Sequence, residues 1–190
     1  MTTLDEHYRL GADAFGSRLE LVPSEAWAQT TRCCPDWTVH DLVNHVVNET
    51  MWIPPLLLGE TIADVGDRLD GDLISNDPLG AWRRASGDVL EAMAAPGALD
   101  RTVELSSGPT TGAKYMAEVL SDQIIHTWDL ATSTDADPVL DPALVTFARQ
   151  TLEPLAELWR QAGALGPPIE VADDADDQTK LLALLGRRAT

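Results

Sequence analysis

Apolar residues recur in this chain every three or four positions, in long runs that are each bounded by a cap or a proline. Spacing of that kind puts a stripe on one side of an α-helix, and the stripe must be buried against another element. Tyr8, Ala12, Phe15, Leu19 and Val22 form the first run, which Pro23 stops. Thr38 can cap a second helix, with Asp41 favouring its first turn and Val39, Leu42, Val43, Val46 and Ile53 on one face. Pro54-Pro55 is expected to kink or end it, because proline has no N–H to give. Asp77-Pro78 sets a cap before a proline at the first helical position, and Leu79, Trp82, Val89 and Met93 line a third helix up to Pro96-Gly97. Thr102 to Leu105 can be extended, and Ser106-Ser107-Gly108-Pro109 reads as loop. A fourth helix begins near Thr111 or Gly112 and carries Tyr115, Met116, Val119, Leu120 and Leu130 on its apolar side. Asp141-Pro142 repeats the cap-then-proline signal for a fifth, through Leu144, Ala148, Leu152, Leu155 and Trp159 before Gly163. Gly166-Pro167-Pro168 is a linker, and a short helix from about Ala175 to Leu185 stops at Gly186. Long amphipathic helices without a run of strand patterns give an all-α antiparallel bundle.

The 190 residues suit a single domain over 1–190, which at this size buries roughly 70% of its extended surface. The longest apolar stretch, around Trp52 to Leu58, is far shorter than the ~20 residues of a membrane span. An acidic start without an apolar run leaves the cytoplasm as the expected location. With 31 acidic against 13 basic residues, a formal charge of -18 argues against nucleic acid and anionic lipid as partners. Of the basic pairs Arg83-Arg84 and Arg187-Arg188, the second is expected to close the final helix, where cations suit the dipole. Cys33 and Cys34 are adjacent, hence poor disulfide partners, and are expected to be reduced and buried or semi-buried. Asp36 and His40 beside them make only a weak metal-binding pattern.

Chemistry concentrates on two helices. Asp122 and His126 are four apart, so their side chains share a face and can grip one ion from adjacent turns. His126 falls inside the apolar arc of its helix, Asp122 at the edge, and Asp129 beside Asp122. On the second helix His45 lies at the margin of the apolar arc and Glu49 within it. Carboxylates that point inward call for a metal, an arginine or a histidine. A hydrogen-bonded Asp–His pair would satisfy the same spacing without an ion. Trp37, Trp52, Trp82 and Trp159 read as core or rim packing, and His7 and His40 as surface.

The segment from Cys34-Pro-Asp-Trp-Thr-Val-His to His45, with the later Asp122-Gln-Ile-Ile-His126-Thr-Trp128-Asp129-Leu130, resembles the N-terminal metal-binding domain of mycothiol-dependent maleylpyruvate isomerases, within the DinB-like superfamily. The closing Ala183-Leu-Leu-Gly-Arg-Arg is similar to the ending of that family's single-domain branch. The resemblance implies a DinB-like antiparallel four-helix bundle with an additional short C-terminal helix. It also implies a zinc held by His45, Asp122 and His126, with nickel as an acceptable substitute, and mycothiol or a similar thiol as cosubstrate. Glu49 and Asp129 become candidates for general base or for orienting a ligand histidine. Two departures matter: the isomerase has glutamate where this chain has Asp122, and a further C-terminal domain follows the helical one there. Isomerisation of maleylpyruvate is therefore not implied. Three protein ligands leave zinc an open position, the arrangement of a catalytic site. The expected partners are a small-molecule substrate and a thiol, and a homodimer stays open. A non-catalytic metal-containing binding protein of the same fold is the alternative.

Overall fold

Capping chemistry sets where the helices begin. In a computed structural model, which describes residues 2–161, 163 and 165–189, Thr3 and Asp141 start helices α1 (Leu4–Glu20) and α6 (Pro142–Leu152) through side-chain bonds to the backbone of the first turn. Thr38 does the same for α2 (Val39–Leu58), in a reciprocal box with Asp41, and Thr61 for the short α3 (Ile62–Val65). Asp77 caps α4 (Pro78–Ala94) with proline at its first position. Thr111 caps α5 (Gly112–Ser133), and Asp176 caps α8 (Asp177–Leu184). Strands β1 (Thr102–Leu105) and β2 (Gly108–Thr111) form one antiparallel hairpin, with Thr102 opposite Thr111 and Leu105 opposite Gly108. The described chain is thus mostly helical with one small sheet, and the terminal residues of the domain expected over 1–190 lie outside it.

The four long helices pack in a ring in which α1 meets α4 and α5, and α2 meets α4 and α5. Their stripes meet inside, where Tyr8, Phe15, Leu42, Val43, Ile53, Trp82, Met116, Leu120 and Ile124 are buried. Helix α6 lies on α5 and α1, and α8 lies on α6. Almost every residue from Leu120 to Ser133 is consequently buried. Polar side chains survive there by bonding the helix's own carbonyls: Ser121 donates to Ala117 at 2.7 Å and Thr127 to Gln123 at 2.8 Å. Among the described residues no helix is long and apolar enough to cross a membrane.

Four local expectations are corrected. Of the kink or end expected at Pro54-Pro55, the end is not found there: α2 runs on to Leu58 and stops at Gly59 with φ 103°. Buried Ile53, Leu56 and Leu57 continue the apolar face past the prolines, and that packing offsets the lost donors. The loop expected at Ser106 to Pro109 is the turn and second strand of the hairpin, because a two-stranded ribbon consists only of edges, where proline is tolerated. The fifth helix does not reach Trp159 unbroken: it ends at Leu152, and α7 (Ala156–Gln161) resumes beyond Pro154. Helix α1 stops short of Val22, with Leu21 as its cap.

Gly112 joins the hairpin to α5 at a point of close approach. A Cβ there would lie 2.4 Å from the Ala98 carbonyl oxygen and 2.8 Å from a Leu57 methyl. Gly112→Ala should therefore lower stability by about 1–3 kcal/mol, as overpacking does. Urea denaturation checks this, and an unchanged midpoint would show that the junction has slack.

Candidate metal centre

Three side chains from two helices converge where α2 packs on α5. His45 comes from the second turn of α2, and Asp122 and His126 from consecutive turns of α5. His45 Nε2 lies 3.4 Å from one Asp122 oxygen, and His126 Nε2 lies 3.5 Å from the other. One ligand atom from each residue fits within 4.8 Å of the others. Ligands bonded at about 2.05 Å around a tetrahedral ion sit about 3.4 Å apart, and each histidine nitrogen lies near that distance from an Asp122 oxygen, each from a different one. These distances are also long for good hydrogen bonds.

The back of the centre is closed and its front is open. The His126 side chain is only 7% exposed, against 29% for His45 and 36% for Asp122. Behind His126, Nδ1 lies 2.9 Å from Asp129 Oδ2. Asp129 is fully buried and takes Arg187 on both oxygens: Nε reaches them at 2.9 and 3.1 Å, and Nη2 reaches Oδ2 at 2.8 Å. A carboxylate held by a guanidinium in this way is an acceptor, so the Nδ1–H of His126 donates to it. In the neutral ring that leaves the lone pair on Nε2, facing Asp122 and His45.

Electrostatics follow the same layout. Burial works to raise the Asp122 carboxyl, yet His126 and His45 together hold it down, at about 2. Burial also works against charge on Asp129, and the bonds from His126 and Arg187 overcome it. Burial alone would keep His126 neutral, but its two carboxylate neighbours raise it. In the absence of a cation the site thus draws a proton to the place a metal would fill. Glu49, one turn after His45 and half-buried, is raised chiefly by burial, with His45 opposing. It does not join the three-residue group.

A cavity of about 330 Å³ opens on these residues, with Trp37, Ile125, Leu152, Trp159 and Leu185 as its apolar wall and Cys34 and Arg187 at its side. The Trp37 ring stacks 4.8 Å from His45 and 6.1 Å from His126. It is placed by the loop before α2, where Trp37 N donates to Cys34 O at 2.9 Å and Thr31 N to Trp37 O at 2.8 Å. Cys34 is lowered to about 7, mainly by its contact with Cys33, which is raised. His40 and His7 stay away from the centre: His40 faces Asp72, and His7 stacks on Phe147.

The sequence reading missed Arg187, expected there only to close the last helix. It does touch Leu185 O at 3.3 Å, but its main partner is Asp129, 58 positions earlier in the chain. No local pattern links them; the signal available was an inward carboxylate in need of a cation.

A family comparison decides the kinship of this arrangement, matching residues 8–131 to the mycothiol maleylpyruvate isomerase N-terminal domain. The chain belongs to that family. All three residues of the donor group lie inside the matched stretch, as do Glu49 and Asp129, whereas Arg187 lies beyond it. Relatives include uncharacterized proteins from two strains of Mycobacterium tuberculosis, each 31% identical over 148 residues, which is 76% of this chain and 74% of the relative. No solved structure matches the chain.

Arg187→Ala should destabilise the protein by about 3 kcal/mol, because it strands a buried carboxylate. Adding Asp129→Asn should recover part of the loss. Urea denaturation of the metal-free single and double variants is the check, and additive losses would mean that the pair is not coupled.

Proposed function

We propose that this protein is a zinc-dependent enzyme that activates a low-molecular-weight thiol of the mycothiol type for transfer to, or isomerisation of, an electrophilic small molecule. The observation that carries the reading is the donor group His45, Asp122 and His126, open on one side to a cavity with an apolar wall. Two imidazoles and a carboxylate suit zinc and would also accept nickel. A zinc ion bound there supplies positive charge that favours thiolate over thiol and leaves a coordination position for it. The ring formed by α1, α2, α4 and α5 supports a DinB-like four-helix bundle as the scaffold.

The protein's own groups divide the work around that charge. Asp129 and Arg187 hold the His126 ring with Nε2 forward, which is an orienting role. Asp129 spends its oxygens on these partners, so we assign the proton released by the thiol to Glu49, whose carboxyl burial makes more basic. Trp37, Leu152 and Trp159 give the electrophile an apolar surface and exclude water from that side. In this reading the partners are small molecules, and a charge of -18 keeps nucleic acid and anionic membranes away.

Protein purified without an affinity tag should bind about one zinc per chain, and His45→Ala or His126→Ala should each abolish it. Elemental analysis measures this, and wild-type protein that stays metal-free in micromolar zinc would sink the proposal. The chemistry is read separately. Cobalt-substituted protein should develop a thiolate-to-metal absorption band when mycothiol or a simpler thiol is added. With cobalt bound and no band formed, thiol activation is wrong and a metal-containing binding protein takes its place.

A further inference from the structure

Cys33 and Cys34 are the only cysteines of the chain, and the proposed zinc chemistry uses neither. Their sulfurs lie side by side, 3.1 Å apart, in a half-buried turn. Thr31 fixes that turn: its hydroxyl donates to Cys34 O at 2.8 Å and accepts from Cys34 N at 3.3 Å. Arg32 N, bonded to Ser133 Oγ at 3.1 Å, ties the same turn to the end of α5. The two thiols line different spaces. Cys34 is in the wall of the cavity described above, and Cys33 is in the wall of a neighbouring cavity of about 340 Å³ with Trp128, Thr132, Ile169 and Arg187.

A direct bond between the sulfurs would have to shorten 3.1 Å to about 2.0 Å across a single peptide, which neighbouring residues resist. A bridging atom needs no such closure, and its geometry can be read from the separation. With bonds of about 2.3 Å, a tetrahedral ion holds two sulfurs about 3.8 Å apart and a linear one about 4.6 Å. Sulfurs 3.1 Å apart subtend roughly 85° at bonds of that length. Sulfurs already in contact suit the narrow bite of a pyramidal, trivalent p-block centre that takes soft ligands.

We propose that Cys33 and Cys34 form a second, all-sulfur site that chelates trivalent arsenic or antimony through both thiols. With phenylarsine oxide the two S–H bonds break, two S–As bonds form, and the oxide oxygen leaves as water with both thiol protons. No electrons are transferred. The cavity beside Cys33 has room for the phenyl group, against Trp128 and Ile169.

The test uses reduced, full-length protein and phenylarsine oxide, followed by intact-mass spectrometry. One adduct per chain is expected, retained in millimolar monothiol and stripped by dithiothreitol, with both cysteines protected from alkylation in the peptide map. Removal of the adduct by monothiol, or protection of one cysteine alone, overturns the proposal. Cys33→Ser and Cys34→Ser should each weaken retention at least tenfold, while circular dichroism reports whether they fold. Either folded variant that holds the adduct as wild type does refutes chelation.

Discussion

Asp129 is a carboxylate with no access to water, and an unpartnered charge at that depth would cost several kcal/mol. Its two partners therefore constrain more than themselves. His126 must turn Nδ1 inward, which sends Nε2 out toward Asp122 and His45. Arg187 must be brought back from the end of the chain, and with Leu185 it joins the wall of the cavity at the site. Ring orientation and the placing of Arg187 thus depend on one carboxylate.

That coupling divides the site into two parts with different sources. The donor group and Glu49 come from the stretch that matches the family, residues 8–131. Leu152, Trp159, Leu165, Leu185 and Arg187 all come after it and form much of the cavity wall. The three donor residues are therefore in the family portion, while α6, α7 and the tail add part of the cavity wall and the arginine that holds Asp129.

The sequence made the helices legible because their starts are chemical events. Thr38, Asp77, Thr111 and Asp141 each bond the first turn they precede. Spacing of four residues likewise put Asp122 and His126 on one face. What escaped was decided by contacts distant in sequence or by packing that overrides a local rule. Pro54-Pro55 looks like a stop until the burial of Leu56 and Leu57 is known. Pro154, by contrast, interrupts a run whose apolar spacing continues through it, since Glu153 to Leu155 form a turn in which only Leu155 is half-buried. Arg187 gave no sign of its partner, and the two cysteines gave none of the cavities they border.

The shorter side chain of Asp122, where the resembled isomerase has glutamate, raises the question of whether it can reach an ion between the two histidines. Helices α2 and α5 lie against each other at this level, and the rings of His45 and His126 meet edge to face with centroids 5.1 Å apart. Each Asp122 oxygen then faces a different ring, at 3.4 and 3.5 Å. The aspartate thus faces His126 along its own helix and His45 across the contact with α2.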